Sequence, residues 1–409
     1  MNRVKLGVIR EGKVPPDKRV PLTPQQCKLV QTKFPHVDVV VQTSHVRAFK
    51  DQEYTAEGIQ IVDQLDDCDI IIGVKEVNIS DLIPNKKFMF FSHTIKKQPY
   101  NRPLLQAVLD KKIQLIDYEV LKNKSNKRII GFGRYAGIVG CYNGLRTFGM
   151  KHGHYQLKPA HECHDRVEME AEMKKILFPK DTKIVLTGFG RVGHGAREIM
   201  DALPITEVSP EEFLHESFEG PVFTHLDIED YYARIDGTPF DKQDFYTNAH
   251  LYKSVFPPFL SAAHVYIACH FWSNKSPNIV TQAELQNPTI KTSVVADISC
   301  DIAGPIACTI RPSIVADPFY GYDPATGLES DPWASHSIAV MAVDNLPCEL
   351  PKDASEDFGN ELIKYVFPCL FGDDPDQIIV RGTETNANGK LTTYFAYLQD
   401  YVDGNTVSQ

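Results

Sequence analysis

The segment "TKIVLTGFGRVGHGAREIM", residues 182–200, constrains the fold more than any other stretch of this chain. A short apolar run, Ile184 to Thr187, meets Gly188-x-Gly190-x-x-Gly193 and passes at once into helical spacing. The first glycine permits a tight turn, the second lets backbone approach a pyrophosphate, and the third lets a helix pack close to the strand. The helix N-terminus then offers free N–H groups to a diphosphate. Strand, turn and helix in this order predict a dinucleotide-binding unit, with Gly188, Gly190, Arg191, Val192 and Gly193 at the cofactor. At the ribose end an acid is expected after the next strand. "ITEVSPEEF" offers Glu207, Glu211 and Glu212, with Ser209 nearest the usual place. A carboxylate such as Glu207 would repel a 2′-phosphate and favour NAD, whereas Arg191 could assist the phosphate of NADP. NAD is the expected cofactor, and NADP stays open.

The same grammar runs through the first 130 residues, where "VKLGVI", "VDVVVQ", "CDIIIGV", "KFMFFS" and "IQLIDY" read as buried strands. Segments from Pro24, Thr55 and Pro99 read as the helices between them. Such alternation implies a parallel sheet covered on both faces. From Tyr135 to His152 apolar residues recur at helical spacing without a proline, which predicts a long helix running between domains. The second series begins at residue 182 and continues in "HVYIACHF", "SVVADIS" and "IAVMAVDNL". A helix from Lys352 to Tyr365 and a polar tail close the chain. The expected fold is α/β, with two Rossmann-like, doubly wound parallel-sheet domains and an active-site cleft between them. Residues 1–133 plus 353–409 would form the substrate domain, to which the C-terminal segment returns, and residues 134–352 the dinucleotide domain.

A chain of 409 residues is too long for one ordinary core. Its net charge of −10 disfavours nucleic acid and anionic membrane surfaces, leaving small molecules as the expected partners. The start, "MNRVKLGVIREGK", lacks the pattern of a signal peptide, and no apolar run approaches the roughly eighteen residues of a membrane span. Nine cysteines stand singly, with no CxxC pair, as in a reduced compartment. A cytoplasmic protein, monomeric or a small homo-oligomer, is expected.

Ligands of open parallel sheets bind outside the carboxyl ends of the strands. "IIIGVKE" and "FFSHTIKKQ" bring Lys75 and His93 to two such ends. A lysine whose pKa is lowered by burial, and an imidazole titrating near neutrality, can handle protons during hydride transfer at an amine carbon. Each has an ordinary alternative, a solvated surface lysine and a hydrogen-bonded structural histidine. Their occurrence together, upstream of a dinucleotide motif, favours the catalytic reading.

On these residues the chain resembles a known superfamily. "LGVIREGKVPPDKRVPLTP", "GVKE" and the histidine after the next strand are similar to the alanine dehydrogenase and transhydrogenase superfamily. Within it, "FFSHTIKKQ", "LIDYEVL", "RIIGFGRYAGIVG", "VVADISCD" and "VDNLPCELPKDASEDFG" resemble the lysine-forming saccharopine dehydrogenases and the lysine-ketoglutarate reductase domain of the bifunctional lysine-degrading enzyme. The likeness runs in order from about residue 5 to residue 372 and is weakest from about 210 to 260. The length of that weak region is nearer to the reductase domain than to the shorter fungal enzymes.

The resemblance implies reversible oxidative cleavage of saccharopine, with NAD(P) and water, to lysine and 2-oxoglutarate. It implies that Lys75 takes the proton of the secondary amine and that His93 activates water. Glu76 and Glu119 match acidic neighbours that would tune the lysine. Arg19, Arg128 and Lys96 match cations for a tricarboxylate substrate, with Arg19 alternatively paired to Asp17. Asp344 matches a position beside the nicotinamide, although Asp297 and Asp301 are also acidic residues at a strand end, and Asp297 is assigned to the cofactor.

Alanine dehydrogenase shares the lysine and histidine, but Lys96 and Arg128 argue against it, since a one-carboxylate product needs fewer cations. Another opine-type reductive amination, and a non-catalytic nucleotide-sensing protein of the same fold, remain alternatives. His152, His154, His161, Cys163 and His164 invite a zinc reading, but their spacing is irregular for a structural site, and a polar interdomain loop without metal is expected. "KNKSNKR", from Lys122 to Arg128, reads as a solvated hairpin whose last member turns inward, and Trp333 as a lid residue or a loop anchor.

Overall fold

The computed structural model describes residues 3–405. Its contacts divide the chain into two compact units, Met1–Phe132 with Pro351–Gln409, and Gly133–Leu350.

In the first unit, strands β1 (Val4–Val8), β2 (Val37–Gln42), β3 (Gln60–Val62), β4 (Ile70–Ile72), β5 (Lys87–Phe90) and β6 (Gln114–Asp117) form one sheet. The order is β3-β2-β1-β4-β5-β6 and every pairing is parallel. Helices α1 (Pro24–Lys33), α2 (Asp51–Ala56) and α3 (Arg102–Asp110) make the crossovers. Thr23 starts α1 through a reciprocal capping box with Gln26, and Pro24 fills the first turn, where no N–H partner is needed. Gln26 also donates to the Glu356 carbonyl at 2.7 Å, tying α1 to the returning helix Pro351–Glu361. Phe358, Leu362, Val366 and Phe367 of that return lie in one core with β1 and β2.

Two expectations need correction here. The helix expected from Thr55 is α2, which starts four residues earlier and is ended by Gly58 at φ 75°, and β3 follows it. Sequence patterning misses β3 because the strand is short and none of its residues is buried. The tail is not simply polar either. Phe395, Leu398 and Tyr401 are buried with Leu105 of α3, and Thr383 bridges Ile116 at the edge of β6.

The second unit starts with α4 (Gly133–His152), then α5 (Arg166–Glu172), β7 (Lys183–Thr187), α6 (Arg191–Asp201), β8 (Thr206–Glu207) and β9 (Val222–Leu226). A hairpin of β10 (Tyr232–Arg234) and β11 (Tyr252–Ser254) precedes β12 (Val265–Ala268), β13 (Val294–Asp297), β14 (Phe319–Asp323), β15 (Leu328–Ser330) and β16 (Ile338–Met341). The sheet runs β15-β14-β16-β13-β12-β7-β9-β8. It is parallel from β16 to β8, while β14 pairs antiparallel with both β16 and β15.

The long helix α4 belongs to this unit and packs on α6, rather than running between domains. A Cβ on Gly137 would stand 1.9 Å from the Val192 carbonyl oxygen, so only glycine lets these helices cross this closely. The histidine-bearing loop also lies within this unit. There His152 contacts Ser293 Oγ at 2.8 Å, and His164 pairs with Asp165 at 2.9 Å. Among the described residues no group of three or more His, Cys, Asp or Glu could hold a metal, and no helix is long and apolar enough to cross a membrane.

Candidate active site

The two parallel strands β4 and β5 stand in register, Ile72 beside Met89, and each hands the chain to a titratable side chain a few residues on. Beyond β4, the N–H groups of Val74 and Lys75 donate to the Glu11 carboxylate at 2.7 and 2.9 Å, which fixes the backbone where Lys75 leaves the sheet. Burial pushes the Glu11 acid up to about 7 against the pull of those two N–H groups, so it titrates near neutrality. Burial first, then the positive charges of Arg19 and Lys13, lower the Lys75 pKa, and Glu76 only partly offsets them. A lysine disfavoured as a cation is a ready proton acceptor.

Beyond β5, His93 takes the left-handed backbone at φ 55°. Its Nδ1 meets Glu76 Oε1 at 2.5 Å. Burial opposes the charge on Glu76, but the His93 contact, its charge and Lys13 prevail and hold the carboxyl down to about 2. The neighbour of Lys75 therefore orients His93, and the three residues form one connected group. Glu119 takes a different place from the one the resemblance implies. It faces Lys96 at 3.4 Å and Arg128 at 3.8 Å.

The expected carboxylate binders divide into two kinds. Lys96 and Arg128 keep 49% and 39% of their side-chain surface, enough to meet a ligand. Arg128 ends the basic hairpin with its guanidinium over Phe91 at 5.2 Å. Arg19 is buried, holds Asp17 through two side-chain contacts of 3.0 and 2.6 Å, and lies over Phe132 at 4.2 Å. The pairing weighed as an alternative for Arg19 is thus present, and its charge is felt at Lys75.

In the second unit, a groove of about 610 Å³ is lined by the glycine turn, Arg191 and Val192, Asp227, Tyr231, Lys242, His270 and Asp301, among others. Gly188 has φ 96°, and a Cβ on Gly193 would stand 1.8 Å from the Gly188 carbonyl oxygen. Around Gly190 the space is open, and the first turn of α6 carries no side-chain cap. Open space beside uncapped N–H groups fits a dinucleotide diphosphate.

The ribose acid named from the sequence does not line this groove. Glu207 lies in β8 at the sheet edge and is gripped by Arg197 of α6, while Ser209 caps the next short helix. β9 lies between β8 and β7, and the residue after it, Asp227, reaches the groove with Lys242 at 3.5 Å. The weakly similar region from 210 to 260 supplies both. Asp297 likewise turns inward and accepts from Thr309 and Ser299 at 2.6 Å each, whereas Asp301 lines the groove. Asp344 is exposed three residues after β16, and Trp333 packs edge-on to Phe319 at 5.9 Å. Glu11 and Asp227 are the residues the sequence reading missed. Glu11 lies inside a quoted motif, and Asp227 follows a strand-like "VFTHL".

Residues 7–139 match the model of the alanine dehydrogenase/PNT N-terminal domain. The chain is 29% identical over 405 residues to alpha-aminoadipic semialdehyde synthase of Arabidopsis thaliana, covering 88% of this chain and 38% of that protein. It is 26% identical over 377 residues to the saccharopine dehydrogenase [NAD(+), L-lysine-forming] of Yarrowia lipolytica, covering 88% and 90%. The chain is a homologue of both. Among solved structures, an L-alanine dehydrogenase superposes with a TM-score of 0.66 at 17% identity, covering 98% of this chain and all of that one, so the two share a fold. The chain thus spans well under half the length of the plant protein, and nine-tenths of the fungal one.

Proposed function

We propose that this homologue is a pyridine-nucleotide-dependent saccharopine dehydrogenase of the lysine-forming type, interconverting saccharopine plus water with lysine plus 2-oxoglutarate. The observation that carries the reading is the connected group at the ends of β4 and β5, where Lys75 has a lowered pKa and Glu76 orients His93. The nicotinamide, when bound, accepts or returns the hydride at the amine-bearing carbon. Lys75 takes the proton of the secondary amine as that carbon is oxidised to the imine level. His93, oriented by Glu76, removes a proton from the water that adds to the imine carbon, and the carbinolamine then splits into ketone and amine. Lys96 and Arg128 receive substrate carboxylates, and their carboxylate neighbour Glu119 holds them in place until substrate arrives.

For the cofactor, Gly188, Gly190 and the first turn of α6 take the diphosphate, and Asp227 takes the ribose hydroxyls. We assign NAD as the preferred nucleotide, because Asp227 would face a 2′-phosphate.

The test is oxidation of NADH and of NADPH with 2-oxoglutarate paired in turn with lysine, ornithine and ammonia, and with pyruvate plus ammonia. Turnover with 2-oxoglutarate and lysine is expected. Turnover with pyruvate and ammonia alone would make the protein an alanine dehydrogenase, and binding of nucleotide without any turnover would make it a sensor.

A further inference from the structure

Behind His93 runs a line of buried oxygens from three distant parts of the chain. Ser92, Thr94, Asp117 and Glu384 are all fully buried. Ser92 Oγ touches Asp117 Oδ2, Ser92 Oγ and Thr94 Oγ1 are 2.7 Å apart, and Thr94 Oγ1 and Glu384 Oε2 are 2.6 Å apart. Each of these three contacts needs a proton between its oxygens, and two hydroxyls carry only two. The third must belong to a carboxyl. Burial raises the Asp117 acid as well, but Asp117 accepts the N–H of Glu119 at 2.6 Å and of Ser92 at 3.2 Å, which favour its ionised form over that of Glu384. The second oxygen of Glu384 is buried with no hydroxyl or N–H partner, and a side-chain hydrogen bond between Glu384 and Asp117 itself favours the neutral acid over a second carboxylate. Donation therefore runs from the Glu384 acid to Thr94, from Thr94 to Ser92, and from Ser92 to Asp117.

The two hydroxyls flank His93, which sits in a left-handed conformation that an L side chain rarely adopts. We propose that Glu384, Thr94, Ser92 and Asp117 form a one-proton relay that fixes His93 for its acid–base work, and that loss of this proton frees the loop. The proposal rests on the saccharopine dehydrogenase reading for the role of His93, but the relay stands on its own geometry. Glu384 and Asp117 are positioning residues.

The groups around the relay favour retention of the proton. Burial, then the charge of Asp117, raise the Glu384 acid well above the carboxylate range against the pull of Thr94, and the hydrogen bond to Asp117 and the charge of Glu119 add to this. Tyr118 is buried beside Asp117, and Tyr397 and Tyr401 approach from the C-terminal segment. The cations there are engaged elsewhere, Lys97 on the Tyr397 carbonyl and ring, Arg102 over the Tyr401 ring, and Lys96 at Glu119.

The experiment compares wild type, Glu384→Gln and Thr94→Val. Histidine-selective NMR follows the His93 ring from pH 6 to 11 without substrate, the signal being assigned by its loss in His93→Gln. In wild type the ring signals move in an alkaline step. That step is absent in E384Q, whose amide donates permanently in place of the acid, and E384Q keeps kcat within about twofold. T94V shifts the ring signals at every pH and lowers kcat by roughly tenfold to a hundredfold, with NADH affinity unchanged. Ring signals identical in all three proteins, or an E384Q protein as impaired as T94V, would overturn the relay. If T94V does not fold, the alkaline step in wild type against E384Q decides by itself. Absence of turnover with every substrate pair would defeat the functional reading and leave the NMR result to judge the relay.

Discussion

The two units build closely related scaffolds and end their strands on different chemistry. Each has a run of six parallel strands with its first strand in the middle, β1 beside β4 in one and β7 beside β12 in the other. In the first unit the strands are followed by charged or ionisable side chains, Lys75, His93 and Glu119, with Glu11 fixing the backbone at Lys75 and Glu76 meeting His93. In the second the corresponding end offers backbone N–H groups, a hollow at Gly190 and two acids, Asp227 and Asp301. The sheet fixes where a ligand lies, and the few residues after each strand decide whether the place does proton chemistry or binds a nucleotide.

The comparison breaks most visibly if the first unit is silenced alone. Lys75→Met and His93→Gln should each lower turnover by about a hundredfold to ten-thousandfold and leave NADH binding intact, measured by assay and by fluorescence titration. Lost nucleotide binding in either variant would show that the division of labour is wrong. The converse is Gly190→Val. Its side chain enters space that is empty in the structure, so the fold should survive while NADH affinity drops on the order of a hundredfold, about 2.7 kcal/mol.

Smaller effects sharpen the picture. Lys96→Met should raise the KM for 2-oxoglutarate by about tenfold with little change in the KM for NADH, since one half-exposed cation is lost. Asp227→Ala should shift the NADPH-to-NADH preference toward NADPH by about tenfold, with Lys242 then able to meet a 2′-phosphate. An unchanged ratio would remove Asp227 from cofactor choice.

The smallest effect concerns stability. Burial raises the Glu11 acid from 4.5 to about 7 in the folded protein, so its favourable contribution is complete below about 4.5 and is lost as pH rises through 7. Thermal melts from pH 4 to 8 should therefore show Glu11→Gln gaining on wild type with rising pH. A constant difference across that range would mean that folding leaves the Glu11 acid at its ordinary value.

Much of this was legible without coordinates. Short β-branched runs such as "IIIGVKE" predict strands because a strand covered on both faces must be apolar along its length, and the glycine turn predicts its own geometry because no other residue fits at Gly193. The long helix was also found, but not its place. Its glycines, which let α4 cross α6, look like ordinary small residues until the partner helix is known.

The ribose acid shows why local reading fails at the next level. Glu207 follows the glycine helix in the order that the usual pattern requires, yet β8 is an edge strand and β9 slips between it and β7. Strand order is a long-range property, fixed by which apolar faces pack together, and no local window contains it. Glu384 is the extreme case, an acid in a polar tail that touches Thr94 from 290 residues away.

The sequence by itself determined the strand-and-helix alternation, the glycine turn and the presence of Lys75 and His93 at strand ends. These depend on side-chain volume, polarity and backbone freedom over a few neighbouring residues. Only the tertiary structure decided that Glu76 holds His93, that Arg19 is held by Asp17, that Asp227 rather than Glu207 reaches the groove, and that a buried acid from the tail stands behind the His93 loop. Those facts depend on which distant groups share a low-dielectric space, where burial and pairing set the charge each group can carry.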